Sequence, residues 1–267
     1  MIQRIPDMKY YLLVASLAAA ITSPFTYSFY VPGTLEEVGS MDQSSSPYWW
    51  LNSGAYLYLV DGVGKTAQGN LNMLNKWRLV YAASNPVDTD NGYHPQNIFR
   101  LVTRSQWQNF KQEAYFRIKA DNLSASPNRN ASNGVLLFNR YVDGNNLYYT
   151  GIRVDGYAII KKKKNGAYYT IAYKKVFPGI YNHDISPNLL PKNTWIGFQS
   201  FVQTNADGSV TIRLAMDNGK TGVWTPLVEA HDDNKSFGGS AITSTGYGGI
   251  RTDFMDVEFD DYKVAHL

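Results

Sequence analysis

Residues 134–173, GVLLFNRYVDGNNLYYTGIRVDGYAIIKKKKNGAYYTIAY, decide the fold. Four successive β-rich runs are separated by Asp143-Gly144-Asn145-Asn146, Asp155-Gly156 and Asn165-Gly166. Asp-Gly and Asn-Gly between such runs mark hairpins, because type I′ turns require positive φ at both central residues. The stretch is predicted as a four-strand antiparallel meander, and the chain falls in the all-β class.

Upstream, Ala55–Val60, Trp77–Ala82, Ile98–Thr103 and Ala114–Lys119 read as strands, each rich in aromatic or branched residues. Downstream, Trp195–Val202 and Val210–Met216 alternate and are joined through Asn205-Ala206-Asp207-Gly208. Trp224–Glu229, Gly249–Arg251 and Asp256–Val264 complete the set. No segment after residue 30 sustains a helical period over three turns, which leaves short helical turns near Asn70–Asn75 or Ser105–Phe110. Many short strands with regular turns predict an antiparallel β-sandwich. The polar, Pro-broken segments 84–96 and 182–193 have the length of loops that are either functional or poorly ordered.

The 267 residues suffice for one large sandwich. A net charge of +3 gives no basis for a nucleic-acid groove. The chain has no cysteine, which excludes disulfides, thiolate metal sites and a Cys nucleophile. Near the N-terminus, Arg4 and Lys9 precede the apolar run 10–21, with Ala18-Ala19-Ala20 as a cleavage-like site. A run of about 12 apolar residues suits a signal peptide and is short for a membrane span. The expected organisation is a signal peptide or membrane anchor over 1–31, a linker over 32–47 and a single β-sandwich domain over 48–267. The expected location is extracellular or anchored at the cell surface, with membrane contact only through the N-terminal segment. Three N-x-[ST] sequons, at Asn122, Asn130 and Asn234, lend weak support to an external surface.

The order of pieces in the second half resembles the concanavalin A-like lectin/glucanase superfamily, in its laminin-G-like branch. A strand with Phe138 and Arg140 precedes the turn at Asp143 and Asn145, and a Tyr148-Tyr149 strand follows. Then come a Lys-rich hairpin, Asn193-Thr194-Trp195, a strand running from Ile212 to Asp217, Gly248-Gly249-Ile250, and Phe259-Asp260-Asp261-Tyr262. The match spans roughly 111–264. It implies a jelly roll of two curved sheets and a secreted or surface module that binds a polysaccharide or glycoconjugate without catalysis. A glycoside hydrolase or polysaccharide lyase of the same fold is the alternative, since fold alone does not decide function.

For hydrolysis, Asp256, Glu258 and Asp260 alternate on one strand face, and two carboxylates about 5 Å apart are what a retaining mechanism needs. Against this stands a closing strand with Val257 and Phe259 in the core. For elimination, Arg100 would neutralise a uronate and Tyr181 would move the proton. Among the four histidines no pair has metal-ligand spacing. Lys161–Lys164 reads as a sheet edge guarded by charge, or as a patch for an acidic polysaccharide. In Tyr48-Trp49-Trp50, strand alternation prevents all three rings from facing one core, so one is free to stack on a sugar. Trp49, Trp50, Arg140 and Tyr148 form the expected ligand-binding set. The resemblance also implies a structural Ca²⁺, for which Asp260 or Asp261 is the local candidate ligand.

Overall fold

The computed structural model describes residues 25–27 and 29–267. The strands run in chain order as β1 (Phe25–Tyr27), β2 (Gly33–Glu36), β3 (Trp49–Ser53), β4 (Tyr56–Val60), β5 (Val63–Thr66), β6 (Ile98–Trp107), β7 (Phe110–Asp121) and β8 (Gly134–Asp143). They continue as β9 (Asn146–Arg153), β10 (Tyr157–Lys164), β11 (Ala167–Lys175), β12 (Ile196–Thr204), β13 (Val210–Asn218), β14 (Thr225–Asp232), β15 (Gly246–Asp253) and β16 (Met255–His266). One helix, α1 (Lys76–Ser84), interrupts them.

The chain is an all-β antiparallel sandwich. A seven-stranded sheet has the order β11-β10-β9-β8-β15-β6-β3. The nine-stranded sheet has the order β14-β13-β12-β7-β16-β5-β4-β2, with β1 also paired to β16. The predicted meander is β8 to β11, paired in sequence. At its last turn Asn165 and Gly166 adopt φ of 50° and 84°, the double left-handed geometry that the Asn-Gly pair implied. At Gly156 a side chain is excluded as well, because a Cβ would lie 2.4 Å from the Phe177 carbonyl.

Alternation sends Phe99, Leu101, Leu137, Ile152 and Ile160 inward from the seven-stranded sheet, against Phe116, Phe198, Ile212, Val257 and Phe259 from the other. The rings of Phe99 and Phe259 stack at 5.3 Å across the interface. Truncating either to alanine removes a buried ring and costs about 3–5 kcal/mol.

Three expectations are corrected: a strand, the N-terminal organisation and the lysine run. Residues 77–82, read as a strand, lie in α1: the Asn75 side chain accepts a hydrogen bond from the Trp77 amide at 2.9 Å and caps the helix. The helix then packs Tyr81 and Trp77 beside Tyr56, and the Tyr81 hydroxyl donates to Glu37 at 2.5 Å. The linker over 32–47 is partly sheet, since β2 pairs with β4. Within the expected signal segment, residues 25–27 pair with β16 and Phe29 is buried, so these residues contribute to the fold. Ala18-Ala19-Ala20 and the apolar run lie outside the described residues. Among the described residues no helix is long and apolar enough to cross a membrane.

The third correction is the lysine run. β10 lies between β9 and β11, so it is no edge. Lys162 points into the sandwich, fully buried, with Nζ 2.9 Å from Asp232 Oδ2 on β14. Nζ also donates to the Gly239 carbonyl at 2.9 Å, and the Tyr148 hydroxyl donates to the same Asp232 oxygen at 2.6 Å. This cluster joins the two sheets where no water can solvate a stranded charge. Lys162→Met, which leaves Asp232 unpaired, is expected to lower unfolding free energy in urea by about 3–5 kcal/mol, whereas Lys162→Met with Asp232→Leu recovers most of it. A double variant no more stable than the single one would sink this account.

Candidate functional site

The outer face of the seven-stranded sheet is also built of buried apolar residues. Val102, Leu136, Phe138, Tyr149 and Ile159 form a second cluster there, on the side opposite the core. Over its middle lies a groove of about 490 Å³. Arg100 of β6, Arg251 and Asp253 of β15, Tyr149 of β9, Lys161 of β10 and Tyr168 of β11 line it. Two loops form the rim, one carrying Asp88 and the other Asn128, Asn130, Ser132 and Asn133.

Both loops are fixed by polar contacts. Asp88 Oδ1 accepts from the Ser126 hydroxyl at 2.5 Å and from Asn128 Nδ2 at 3.0 Å. Asp90 accepts from the Ser124 hydroxyl at 2.6 Å, and Asn97 Nδ2 donates to the Asp88 carbonyl at 2.8 Å. The long segment 84–96 thus serves as an ordered wall. The segment alone carries no sign of this, because its side-chain anchors at Ser124 and Ser126 lie more than thirty positions away.

Arg251 is the hub of the floor. Its Nε donates to Asp253 Oδ1 at 2.8 Å and its Nη1 to the Tyr149 hydroxyl at 3.3 Å. Asp253 is 3% exposed, and its second oxygen, Oδ2, is buried with no hydrogen-bond partner in the protein. A buried carboxylate oxygen left unpaired is costly. Here it belongs to a residue that lines a groove.

The two tyrosines are driven apart. Burial pushes the Tyr149 phenol up to about 12, against the pull of Arg251. Burial acts on Tyr168 in the same direction, but the Arg251 guanidinium and the Lys163 ammonium outweigh it and hold that phenol below the ordinary tyrosine value. Burial, with the Arg153 and Arg251 guanidinia nearby, lowers Lys161.

Of the expected site residues Arg100 lines this groove, and so does Lys161, from the run whose alternative reading was a patch for an acidic polysaccharide. Trp49 is 1% exposed and packs edge-on against Tyr262 at 4.7 Å, so no face is left for a sugar. Trp50 lies on the outer face, away from the groove lining, and its Nε1 donates to the Val38 carbonyl at 2.9 Å. Arg140 is fully buried and donates to the carbonyls of Gln108 and Ile242 at 2.7 and 2.6 Å. Tyr148 sits in the buried Asp232 cluster. Trp49, Arg140 and Tyr148 are thus framework: alternation turns Trp49 and Tyr148 inward, and a register shift in β8 after Asn139, with Arg140 at φ of 50°, does the same for Arg140.

The alternative catalytic sets are dispersed too. Asp256, Glu258 and Asp260 belong to β16 of the other sheet and line none of the described cavities. Asp256 accepts from the Gly69 amide, Gln96 and Asn122, and Glu258 accepts from Arg117 Nε at 2.6 Å. Each carboxylate is occupied in holding strands and loops. Tyr181 lines a small cavity beside Arg129 that adjoins the groove of Arg100, the two sharing Asn130, Asn133, Asp253 and Phe254. Asn122 is buried, which removes its sequon as a modification site. The groove residues that the sequence reading missed, Arg251, Asp253, Tyr149 and Tyr168, had one available signal. Arg251 and Asp253 are two apart on a strand and so share a face.

No protein-family model matches the chain, and no curated protein matches it in sequence. Several solved structures are similar to it. The carbohydrate-binding module CBM66 from Bacillus subtilis is 16% identical over 63% of this chain and 83% of that one, with a TM-score of 0.42. A prokaryotic β-1,3-1,4-glucanase (lichenase) derived from a mouse hindgut metagenome is 10% identical over 92% of this chain and 100% of that one, at 0.49. The exoplasmic/lumenal domain of VIP36 in its Ca²⁺/Man-bound form is 9% identical over 91% and 92%, at 0.43. At such identities and scores, no residue role passes from these proteins to this chain.

Lys220 pairs with both carboxylates expected to hold calcium. Its Nζ lies 2.5 Å from Asp260 Oδ2 and 3.1 Å from Asp261 Oδ2, so an ammonium stands where a metal would draw both carboxylates. Among the described residues no group of three or more His, Cys, Asp or Glu side chains is placed to hold a metal ion. The melting midpoint is therefore expected to be the same in excess chelator and in millimolar Ca²⁺; a rise with Ca²⁺ would show a site that this pairing does not account for. The split between the tyrosines has its own optical test. In an alkaline titration followed by tyrosinate absorbance, Tyr168→Phe should remove a phenol that ionises below about 10, the unperturbed tyrosine value. Loss of a late-titrating phenol instead would contradict the Arg251 and Lys163 field.

Proposed function

We propose that the chain is an exported or surface-held module that binds a glycan chain in the groove over the seven-stranded sheet, without cleaving it. The observation that carries this reading is the composition of the groove. It pairs the half-exposed Tyr168 ring with a row of groups that exchange hydrogen bonds with hydroxyls: Asn130, Asn133 and Arg251. Apolar rings with a few placed polar groups are what a saccharide site requires. The support for export is the apolar run after Arg4 and Lys9.

Retention on polysaccharide affinity gels tests this directly. The wild-type protein should be slowed by at least one polymer that it leaves undegraded, and Tyr168→Ala should weaken binding about tenfold, as loss of one stacking residue worth 1–3 kcal/mol would do. Retention unchanged by that substitution would place binding elsewhere on the surface.

One feature favours a second reading. A phenol held below its ordinary value beside Arg251 is poised to take a proton from a sugar carbon next to a carboxylate. That chemistry is elimination, and it leaves an unsaturated uronate. Growth of ultraviolet absorbance from an acidic polymer, lost in Tyr168→Phe, would replace binding by catalysis. A polymer unchanged in length and absorbance retains the binding reading.

A further inference from the structure

Charge placement in the groove narrows the ligand beyond "a glycan". Three cationic side chains line it: Arg100, Lys161 and Arg251. Arg251 and Arg100 stand directly opposite each other on neighbouring strands, a like-charge pairing that destabilises a sheet unless an anion compensates it. Only Arg251 has a partner, Asp253. Among the described residues no carboxylate lies within 4.0 Å of the Arg100 guanidinium or of Lys161 Nζ, although both side chains are half-buried. The other acid of the groove, Asp88, has one oxygen engaged by Ser126 and Asn128 of the rim. The groove therefore holds two unpaired cations and one unpaired, buried carboxylate oxygen.

We infer that the groove receives an anionic sugar unit, with its carboxylate or sulfate drawn to Arg100 and Lys161. This rests on the groove being the glycan site. The anion offsets the facing arginines. Arg100 is able to hold such a group bidentately, whereas Lys161 acts as a point charge. Neutral glycans supply no such charge.

Binding to polygalacturonate, alginate, hyaluronate and dextran sulfate, set against laminarin and xylan, tests the inference by calorimetry at low and moderate salt. At least one acidic polymer should bind, more weakly as salt rises. Arg100→Gln and Lys161→Gln should each weaken it about tenfold, about 1.4 kcal/mol. Lys235→Gln, at an exposed lysine that does not line the groove, should leave affinity unchanged. Preference for dextran sulfate over the uronates assigns a sulfate; loss of binding on carboxyl reduction of a uronate polymer assigns a carboxylate. Melting midpoints of all variants should match the wild type, since these side chains make no ion pair within the fold.

Equal binding of neutral and acidic polymers, unaffected by Arg100→Gln and Lys161→Gln, would overturn the anionic assignment and leave the glycan proposal standing. An equal loss with Lys235→Gln would also overturn it, by showing a diffuse charge effect. Binding to none of the polymers would overturn both.

Discussion

Strand alternation in the seven-stranded sheet is the constraint on which the rest of the molecule depends. Both faces of this sheet are covered with buried side chains, so each strand must keep two different registers of residues apart. On β6, Phe99 and Leu101 enter the core while Arg100 and Val102 face outward. On β9, Tyr148 turns inward to Asp232 and Tyr149 outward to Arg251. On β10, Lys162 is buried between the sheets and Lys161 lines the groove. A slip of one residue would exchange core and groove at every position. It would also place lysine and arginine charges where only apolar partners exist. The hairpin turns that set this register are therefore as necessary to the groove as its own side chains.

The same alternation explains why so many polar residues are buried. Lys162, Asp232 and Tyr148 satisfy one another between the sheets. Gln112, Asn139, Ser200 and Tyr262 do so deeper in the sandwich: the Tyr262 hydroxyl donates to Gln112 Oε1 at 2.8 Å, and Ser200 Oγ to Asn139 Oδ1 at 3.0 Å. Such networks specify one arrangement only when each member is paired. Asp253 Oδ2 is one of eight buried side-chain atoms among the described residues without a partner, and it alone of them belongs to a residue of the groove lining.

Rigidity around the groove has a separate source. The rim loops gain little from regular secondary structure, and they are held by short side-chain contacts among Asp88, Asp90, Asn97, Ser124 and Ser126. These contacts join segments that precede and follow β6 and β7, so the wall forms only after those strands have paired. Preorganised polar groups of this kind reduce the cost of ordering on binding.

Much of the architecture was legible in the chain because its cause is local. Asn-Gly and Asp-Gly turns, and the alternating runs between them, determined the meander β8 to β11 and the all-β class. The helix α1 escaped this reading because its short span lacks a long periodic face, and its cap at Asn75 is one residue. The site was legible only in part. Arg100 could be suspected from its type, whereas Trp49, Arg140 and Tyr148 carried equal promise and proved to be framework. A sequence states which neighbours alternate but not which of the two faces of a doubly covered sheet lies against the partner sheet. Pairing between strands remote in the chain decided that. It brought Arg100, Lys161, Arg251 and Asp253 from three strands onto one face, with the loops of Asp88 and Asn130 beside them. Hydrophobic period is a property of the chain, while convergence of charge is a property of the packed sheets.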